Sequence, residues 1–405
     1  LINLRNKVNG GEKFENKYFK QTADIDLEGE NWIPIGNANL PAEGKYFNGI
    51  YDGGSHVIKN MKIIEYSRFT GLFGIIGLEV TIKNLGIVDC DIQVGGYVGA
   101  IAGTDRSSWN SKETPKIINC YSTGKLKSSR TTEGYVGGII GAGDTVIRNC
   151  YSTCSIDTEN TAVDTAGQAG IMGRQSSNLS SIKNCVALNQ YINGNEANEK
   201  GNSNAARITN RQTEVKNIEN NYAYAQMKVN KNDISMGDAN YGDDKYHGAN
   251  ISYDNRNGLS KQFSEIFKDI GGEKASDIWN FEDNMLPTLK NENVSTAKPL
   301  PSYMRSGSTK ADFSGKGTQA SPYLIQNRDD LIKLRDRVNS ETGYAGNYFK
   351  QTTDIDLDGI EWIPIGTDDS ANTKFKGTYD GDGHEITNLN NSDGRYYGGL
   401  FGDIT

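Results

Sequence analysis

The sequence predicts an all-β chain folded as a parallel β-helix, or β-solenoid, in tandem modules with short capping helices. Three observations support this prediction: one stretch recurs 330 residues further along, shorter strand-like segments recur inside the first copy, and no amphipathic helix separates those segments. Parallel strands without crossover helices can stack only if the chain coils. We expect a right-handed coil whose inward side chains are buried on the next coil, about 4.8 Å away.

The long repeat defines the modules. Residues 18–36 match residues 348–366 at 15 of 19 positions, at an offset of 330. LINLRNKVN at the start of the chain matches LIKLRDRVN from Leu331 at the same offset. FNGIYDGGSHVIKNM from Phe47 matches FKGTYDGDGHEITNL from Phe375 at an offset of 328. Such similarity indicates a tandem module rather than a chance match.

The repeat also sets the expected domain boundaries. The second copy opens with a lead-in, GKGTQASPYLIQNRDD, that the first copy lacks, so we interpret the chain as a window of a longer protein. We predict a first solenoid module over 1–225, truncated at its start, and an irregular, partly helical closing segment over 226–291. A linker rich in Pro, Ser and Gly follows over 292–314, and the second copy begins over 315–405.

The short repeat alternates a Gly-rich apolar segment such as YVGGIIG with an Ile-x-Asn strand. The residue after each Asn predicts a structural ladder that faces the interior, because Leu and Cys are residues that proteins bury. Its members, spaced 35, 30 and 35 residues apart, are Leu85, Cys120, Cys150 and Cys185. The Asn side chains are expected to hydrogen-bond from coil to coil.

The five cysteines are an odd number, so at least one is unpaired within the chain. No CxxC pair exists, which favours buried thiols over a zinc or redox site for the three ladder cysteines. A disulfide between Cys90 and Cys154 stays an open alternative, provided that neighbouring coils place them opposite each other.

Two stretches have helical spacing. In LIKLRDRV the apolar residues fall at i, i+3 and i+7, with Asn327 as an N-cap after a strand over residues 323–325. In LSKQFSEIFKDIGG one apolar face includes Phe263 and Ile266, and Gly271 is a C-cap candidate. We interpret the first helix as a plug at the start of each solenoid and the second as part of the closing segment.

These motifs in combination resemble the GLUG repeat of bacterial surface proteins, including the non-catalytic region of IgA-specific metallopeptidases. The similarity lies in GLFG and YVGGIIG followed by IxNCYSTG, in the lead-in, and in IWNFEDNMLPTLK from Ile278. It implies a parallel β-helical, extracellular module, at the bacterial cell surface or secreted. The His-Glu-x-x-His signature of those peptidases is absent, since His56, His247 and His384 are far apart in sequence.

Several polar residues are candidates for chemistry. His56 and His384 occupy equivalent YDGxxH turns and could ligate a metal or cap the turn. Asp24 and Asp26 form a carboxylate pair, repeated at 354 and 356, that suits either a polysaccharide-active site or a repeated turn device. A calcium-like set at Asp380, Asp382 and Glu385 loses two of three acids in the first copy. We therefore predict no catalytic, cofactor-binding or metal site, with calcium as the open alternative.

Tyr121 and Tyr151 each follow a ladder cysteine on adjacent coils, which predicts either an outward tyrosine ladder that binds a ligand or a structural stack. With 43 basic and 51 acidic residues the net charge is −8, which argues against nucleic acid as a partner. No apolar run reaches the length of a membrane span, about 18 residues.

These features together favour an extracellular stalk or fibre module without chemistry of its own and without cofactors. The first alternative is an adhesin surface for a glycan or protein, and the second is a polysaccharide-active enzyme. Self-association into filaments through exposed strand edges is a further expectation.

Overall fold

The computed structural model describes the chain except for residues 38–43, 65–67, 107–112, 130–133, 159–165, 194–204, 211–216, 231, 234–241, 252–258, 283–284, 293–300, 306–312, 341–343, 358–361, 367–373, 391–397 and 405. Parallel sheets stack as a β-solenoid of about eight turns, which confirms the predicted fold class. The chain divides into two compact units, Leu1–Leu300 and Pro301–Thr405. The predicted linker over 292–314 lies partly outside the described residues.

The first unit contains α1 (Ile2–Asn9), α2 (Leu259–Ile266) and α3 (Ala275–Ile278). Its strands are β1 (Tyr18–Lys20), β2 (Ile25–Asp26), β3 (Ile50–Lys59), β4 (Lys62–Ile63), β5 (Phe69–Thr70), β6 (Phe73–Ile76), β7 (Thr81–Val94), β8 (Tyr97–Gly99), β9 (Ala102–Asp105), β10 (Lys116–Ser128), β11 (Gly134–Gly137), β12 (Ile140–Gly143), β13 (Val146–Arg148), β14 (Tyr151–Ser152), β15 (Ser155–Thr158), β16 (Ala166–Ala169), β17 (Met172–Gln175), β18 (Ser181–Lys183), β19 (Val186–Ala187), β20 (Tyr191–Ile192), β21 (Ala205–Ala206), β22 (Ile218–Glu219), β23 (Tyr222–Tyr224), β24 (Lys228–Val229), β25 (Asn232–Asp233), β26 (Ala249–Ile251), β27 (Trp279–Asn280) and β28 (Thr288–Leu289). The second unit contains α4 (Ser302–Arg305), β29 (Tyr323–Ile325), α5 (Arg328–Ser340), β30 (Tyr348–Gln351), β31 (Ile355–Asp356), β32 (Thr378–Asp380) and β33 (Ile386–Thr387).

The central coils of the first unit contribute strands to three sheets. The Gly-rich segments supply a five-stranded sheet, β5-β8-β11-β16-β21, and a four-stranded sheet, β6-β9-β12-β17. The Ile-x-Asn segments supply the large sheet that contains β7 and β10, in which neighbouring coils pair in parallel. Inward Ile and Val side chains from all three sheets form the core, with Ile82, Ile117 and Ile147 fully buried. Coil stacking therefore places repeat-equivalent residues in columns along the solenoid.

The Asn of the Ile-x-Asn segments turns the chain at a corner of each coil. Asn84, Asn119 and Asn149 have φ values of 54°, 54° and 51°, in the left-handed region, and Asn184 and Asn220 behave alike. Asn adopts this conformation more readily than other residues with a Cβ atom. The sequence analysis expected these Asn side chains to hydrogen-bond from coil to coil, but it did not identify their role in turning the backbone.

The two predicted helices form. Before α5, the side chain of Asn327 accepts a hydrogen bond from the backbone N–H of Asp330 at 3.0 Å, as an N-cap does. The prediction of Gly271 as the C-cap of α2 is wrong, because the helix ends at Ile266, five residues earlier; Gly271 has a φ of 61° in a later turn. No helix in the described part of the chain has the length and apolar character of a membrane span.

Candidate functional site

The predicted ladder position lies inside the coils. Leu85 is opposite Cys120 in the parallel pairing of β7 with β10, and the N–H of Cys120 lies 3.4 Å from Sγ of Cys150. Leu85, Cys120, Cys150 and Cys185 have no exposed surface. Burial raises the pKa of Cys150 and of Cys185 well above the ordinary thiol value. These thiols are therefore protonated and fill space in the core, as hydrophobic side chains do.

Cys90 and Cys154 contact each other across a glycine. Gly124 of β10 lies opposite Cys90, and a Cβ atom on Gly124 would come within 2.1 Å of the Cys90 carbonyl oxygen. Cys154 precedes β15 on the far side of β10, and both thiols are free. The hydrogen bond with Cys154, together with burial, raises the pKa of Cys90. Cys90 and Cys154 lie two coils apart, a Cα separation of about 9.6 Å, which is longer than a disulfide can span.

The corner asparagines form a continuous hydrogen-bonded column, which we call the asparagine ladder. Each side-chain amide donates to the side-chain oxygen of the preceding coil, and the first amide donates to a carboxylate. The donor–acceptor pairs are Asn84 to Asp52 at 3.1 Å, Asn119 to Asn84 at 3.2 Å, Asn149 to Asn119 at 3.1 Å, Asn184 to Asn149 at 3.3 Å and Asn220 to Asn184 at 2.9 Å. Six consecutive coils are thereby joined along the axis by side chains in addition to backbone.

The prediction that Tyr121 and Tyr151 form an outward binding face is wrong. Their rings stack with centroids 4.9 Å apart and planes 6° apart, but the residues are only 2% and 1% exposed. Tyr121 fits beside Gly86, where a Cβ atom would approach its ring to 2.4 Å. Burial raises the pKa of both phenols well above the ordinary value. The alternative of a structural stack is the one that the structure shows.

The tyrosines are buried by the closing strap, which we define as residues 259–282 and 285–292. The Tyr121 hydroxyl donates to Oε1 of Glu292 at 2.8 Å, and the Tyr151 hydroxyl donates to the Pro287 carbonyl at 2.6 Å. Trp279 packs against both tyrosine rings at 6.1 and 5.9 Å. The two hydrogen bonds join residues 171 and 136 positions apart in sequence, so no local pattern could have predicted them.

The closing strap also binds the asparagine ladder and its neighbours. Asn149 donates to the Lys268 carbonyl at 2.7 Å and accepts from the Lys268 N–H at 3.1 Å. Asn220 donates to the Ile266 carbonyl at 3.0 Å, and Asn291 donates to the Gly54 carbonyl at 2.8 Å. The strap thus contacts coils from that of Gly54 to that of Asn220, along the side of the solenoid.

Asp52 is the carboxylate that accepts the first hydrogen bond of the asparagine ladder. Burial opposes its ionisation, but hydrogen bonds from Tyr18, from the Gly54 N–H and from Asn84, with the charge of Lys83 at 3.6 Å, hold its pKa below the ordinary value. The hydrogen bond to Asp52 is the main cause that raises the pKa of Tyr18 to about 12. Asp52 is therefore ionised, and Tyr18 neutral, throughout the neutral pH range.

The candidate histidines and carboxylates serve local structure in both units. Nδ1 of His56 lies 3.1 Å from Oδ1 of Asp24, which also accepts the Val57 N–H. The equivalent pair, His384 and Asp354, has the same 3.1 Å separation. The Glu385 N–H and then His384 lower the pKa of Asp354.

The second acid of each pair binds an asparagine instead. Asp26 accepts from Asn60 at 2.8 Å, as Asp356 does from Asn388 at 2.7 Å. In the calcium-like turn, Asp380 accepts the Asp382 N–H, and Asp382 pairs with Lys350 at 2.9 Å. Among the described residues no three His, Cys, Asp or Glu side chains are grouped to hold a metal ion.

The Gly-rich segments carry a second aromatic column that the sequence analysis missed. Phe69, Tyr97 and Tyr135 are in register on adjacent coils, with edge-to-face centroid distances of 5.2 and 4.8 Å. The guanidinium of Arg68 lies 5.4 Å from the Phe69 ring and that of Arg174 lies 4.9 Å from the Tyr135 ring. The recurrence of Tyr before Val-Gly in YVGAIAG and YVGGIIG was the available signal.

Comparison with known proteins gives partial matches. No family model matches the chain. A candidate Gly-rich membrane protein of Evansella cellulosilytica is 39% identical over 98 residues, which are 22% of this chain and 10% of that protein. Halomucin of Haloquadratum walsbyi is 36% identical over 104 residues, 23% of this chain and 1% of halomucin. The chain therefore spans a tenth or less of these curated relatives.

Among solved structures, a candidate immunoglobulin A1 protease from Bacteroides ovatus is similar, with a TM-score of 0.49 and 21% identity, over 72% of this chain and 90% of that one. The assignment of this chain as a β-solenoid rests on its own strand pairing.

Proposed function

We propose that this chain is part of an extracellular stalk, in which tandem β-solenoid modules act as stiff spacers and perform no chemistry. The observation that carries the proposal is that the same structural contacts occur inside each of the two units. Gln21 and Gln351 each donate to two backbone carbonyls and accept from a tyrosine, and the histidine–aspartate distance is identical. A spacer benefits from each repeated contact, whereas a catalytic or binding site is needed only once.

The continuous columns of the first unit support the same proposal. Pulling the coils apart along the axis would break the backbone ladders, the asparagine ladder and the closing strap together. About eight coils at about 4.8 Å each give an advance of about 40 Å per module. The name of the Evansella cellulosilytica relative, a Gly-rich membrane protein, fits a location at the cell envelope.

The test is to image chains that carry one, two and three modules by electron microscopy. We expect particles that lengthen by about 40 Å for each added module. Compact particles whose longest dimension does not grow with module number would contradict the proposal. Antibody labelling of intact and permeabilised cells checks location, and we expect labelling of intact cells.

The enzyme alternative is tested by incubation with a polysaccharide panel. Turnover that the pair Asp24→Asn and Asp26→Asn abolishes, while the matched pair Asp354→Asn and Asp356→Asn leaves it intact, would replace the stalk proposal. We expect no turnover, because these acids accept hydrogen bonds that stabilise the coil.

A further inference from the structure

Two buried carboxylates lie on neighbouring coils at the corner that follows β9 and β12. Asp105 is the last residue of β9 and Asp144 follows the last residue of β12, and they are 4% and 3% exposed. Oδ2 of Asp105 accepts the Asp144 N–H at 2.7 Å and the Thr145 hydroxyl at 2.7 Å. These hydrogen bonds hold the backbone of Asp144 against the Asp105 carboxylate, so two acidic residues share one enclosed corner.

A glycine brings a third polar side chain to the same corner. In the parallel register of β9, β12 and β17, Gly143 lies between Asp105 and Gln175. A Cβ atom on Gly143 would come within 2.2 Å of Oδ2 of Asp105, so the carboxylate fills the space that a side chain would take there. Residues that face each other in parallel strands point to the same side of the sheet. Gln175 therefore extends into the column that holds the Asp105 carboxylate.

Protein groups do not satisfy the polar atoms of this corner in the part of the chain that the structure describes. Gln175 is 1% exposed, and neither its Oε1 nor its Nε2 has a hydrogen-bond partner. Oδ1 of Asp144 is buried and also lacks one. Asp52, which is buried to a similar degree, instead accepts the Gly54 N–H and the Asn84 amide. Burial without a partner costs free energy, and more for a carboxylate than for an amide, so the corner favours a bound cation.

We infer that Asp105, Asp144 and Gln175 form a binding site for a calcium ion. Two carboxylates balance the charge of the ion, and Oε1 of Gln175 adds a neutral oxygen, which are the ligand types that Ca²⁺ takes in proteins. Mg²⁺ keeps several of its waters and demands octahedral geometry, so an enclosed set of protein oxygens favours calcium. The guanidinium of Arg106 is directed elsewhere, since it lies 4.7 Å from the Tyr46 ring and donates to the Tyr46 hydroxyl at 3.1 Å.

The site lies one residue below the surface and spans three coils. Arg106 and Ser176, which follow Asp105 and Gln175, are exposed, so an ion reaches the corner from solvent through a short path. A bound ion would join the coils of β9, β12 and β17 through side chains. Calcium should therefore stabilise the solenoid, and this property goes beyond the proposed spacer role.

The experiment measures the melting temperature of the full 405-residue chain by circular dichroism, in EDTA and with added calcium or magnesium chloride. We expect a saturable rise with calcium, with a midpoint of about 0.1–1 mM as in extracellular calcium modules, and none with magnesium. Asp144→Asn and Gln175→Met should each raise the calcium midpoint at least about tenfold. In EDTA neither variant should melt below the parent chain, because each removes a buried group that has no partner.

The matched control is Asp380→Asn, because Asp380 is an exposed acid of the calcium-like turn in the second unit. This variant should keep the full calcium response. In hydrogen exchange, calcium should slow the amides of residues 143–146 and leave those of residues 380–385 unchanged. If Asp144→Asn fails to fold, Gln175→Met and the exchange data still decide. Absence of a saturable rise, an equal rise with magnesium, an unchanged midpoint in both corner variants, or a response lost in Asp380→Asn would overturn the inference.

Discussion

The asparagine ladder yields a stability prediction that can be worked out from one residue. Asn149 makes four side-chain hydrogen bonds: it donates to Asn119 and to the Lys268 carbonyl, and accepts from Asn184 and from the Lys268 N–H. Each is worth about 0.5–1.5 kcal/mol net, so the loss of all four should cost about 2–6 kcal/mol. Its φ of 51° adds a backbone effect, because alanine in the left-handed region costs about 1 kcal/mol that glycine does not.

Two substitutions at this position separate these effects. Asn149→Gly removes the side-chain hydrogen bonds but keeps a residue that adopts the left-handed conformation without strain. Asn149→Ala removes the same hydrogen bonds and adds backbone strain, because alanine has a Cβ atom. We expect both variants to be less stable than the parent chain, with Ala about 1 kcal/mol below Gly. Glu30→Ala, on an exposed loop side chain, should stay within about 0.5 kcal/mol and serves as the control.

The assay is urea denaturation followed by circular dichroism, with hydrogen exchange to locate the loss. Because Lys268 belongs to the closing strap, both variants should also exchange faster over residues 259–268. An Asn149→Ala chain within about 0.5 kcal/mol of the parent chain, or more stable than Asn149→Gly, would refute the reasoning about the corner.

Four further predictions follow from the same contacts. Cys150→Asp should destabilise the first unit by more than about 3 kcal/mol, since it buries a charge between coils, whereas Cys150→Ala should cost less; equal melting temperatures would show that the position is not enclosed. Tyr151→Phe leaves the Pro287 carbonyl without its donor and should cost about 1–2 kcal/mol in urea denaturation, with faster proteolysis of the strap as a second readout. The pKa of Asp52 is lowered in the folded state, so its contribution to stability is present above the unfolded carboxyl pKa, about 4, and is lost as the pH falls through the folded pKa. Asp52→Asn should therefore make the free energy of unfolding less dependent on pH below about pH 5. An unchanged dependence on acid pH would contradict this prediction. Limited proteolysis should cut first within 292–314; first cleavage within 71–173 would contradict the predicted joint.

The coil interior was predictable from sequence because it depends on local repetition. A residue type that recurs at one register position, as Leu85 and Cys120 do, can only stack on its equivalents when coils are parallel. The N-cap at Asn327 is likewise local, since donor and acceptor are three residues apart. In these cases the periodicity carried enough information to place the side chain.

The environment of the outer surface was not predictable from that periodicity. Alternation places Tyr121 on the opposite face from Cys120, but whether that face meets solvent depends on the strap, which returns to it from Trp279 and Glu292. The corner role of Asn84 was hidden for a different reason. An Ile-x-Asn strand with an amide ladder and a left-handed corner with the same ladder have identical sequence patterns, and only the φ value distinguishes them.

The closing strap changes how such a solenoid would respond to force. In a stack whose coils contact only their neighbours, stability is a sum of independent interfaces, and tension opens the weakest one. Here Asn291 of the strap donates a hydrogen bond to Gly54, and Ile266 of the strap accepts one from Asn220. A single segment is therefore bound to both ends of the ladder. Opening any interface between those coils must therefore either detach the strap or stretch it. We therefore expect the interfaces to fail together rather than one by one, a behaviour that agrees with the proposed role as a spacer.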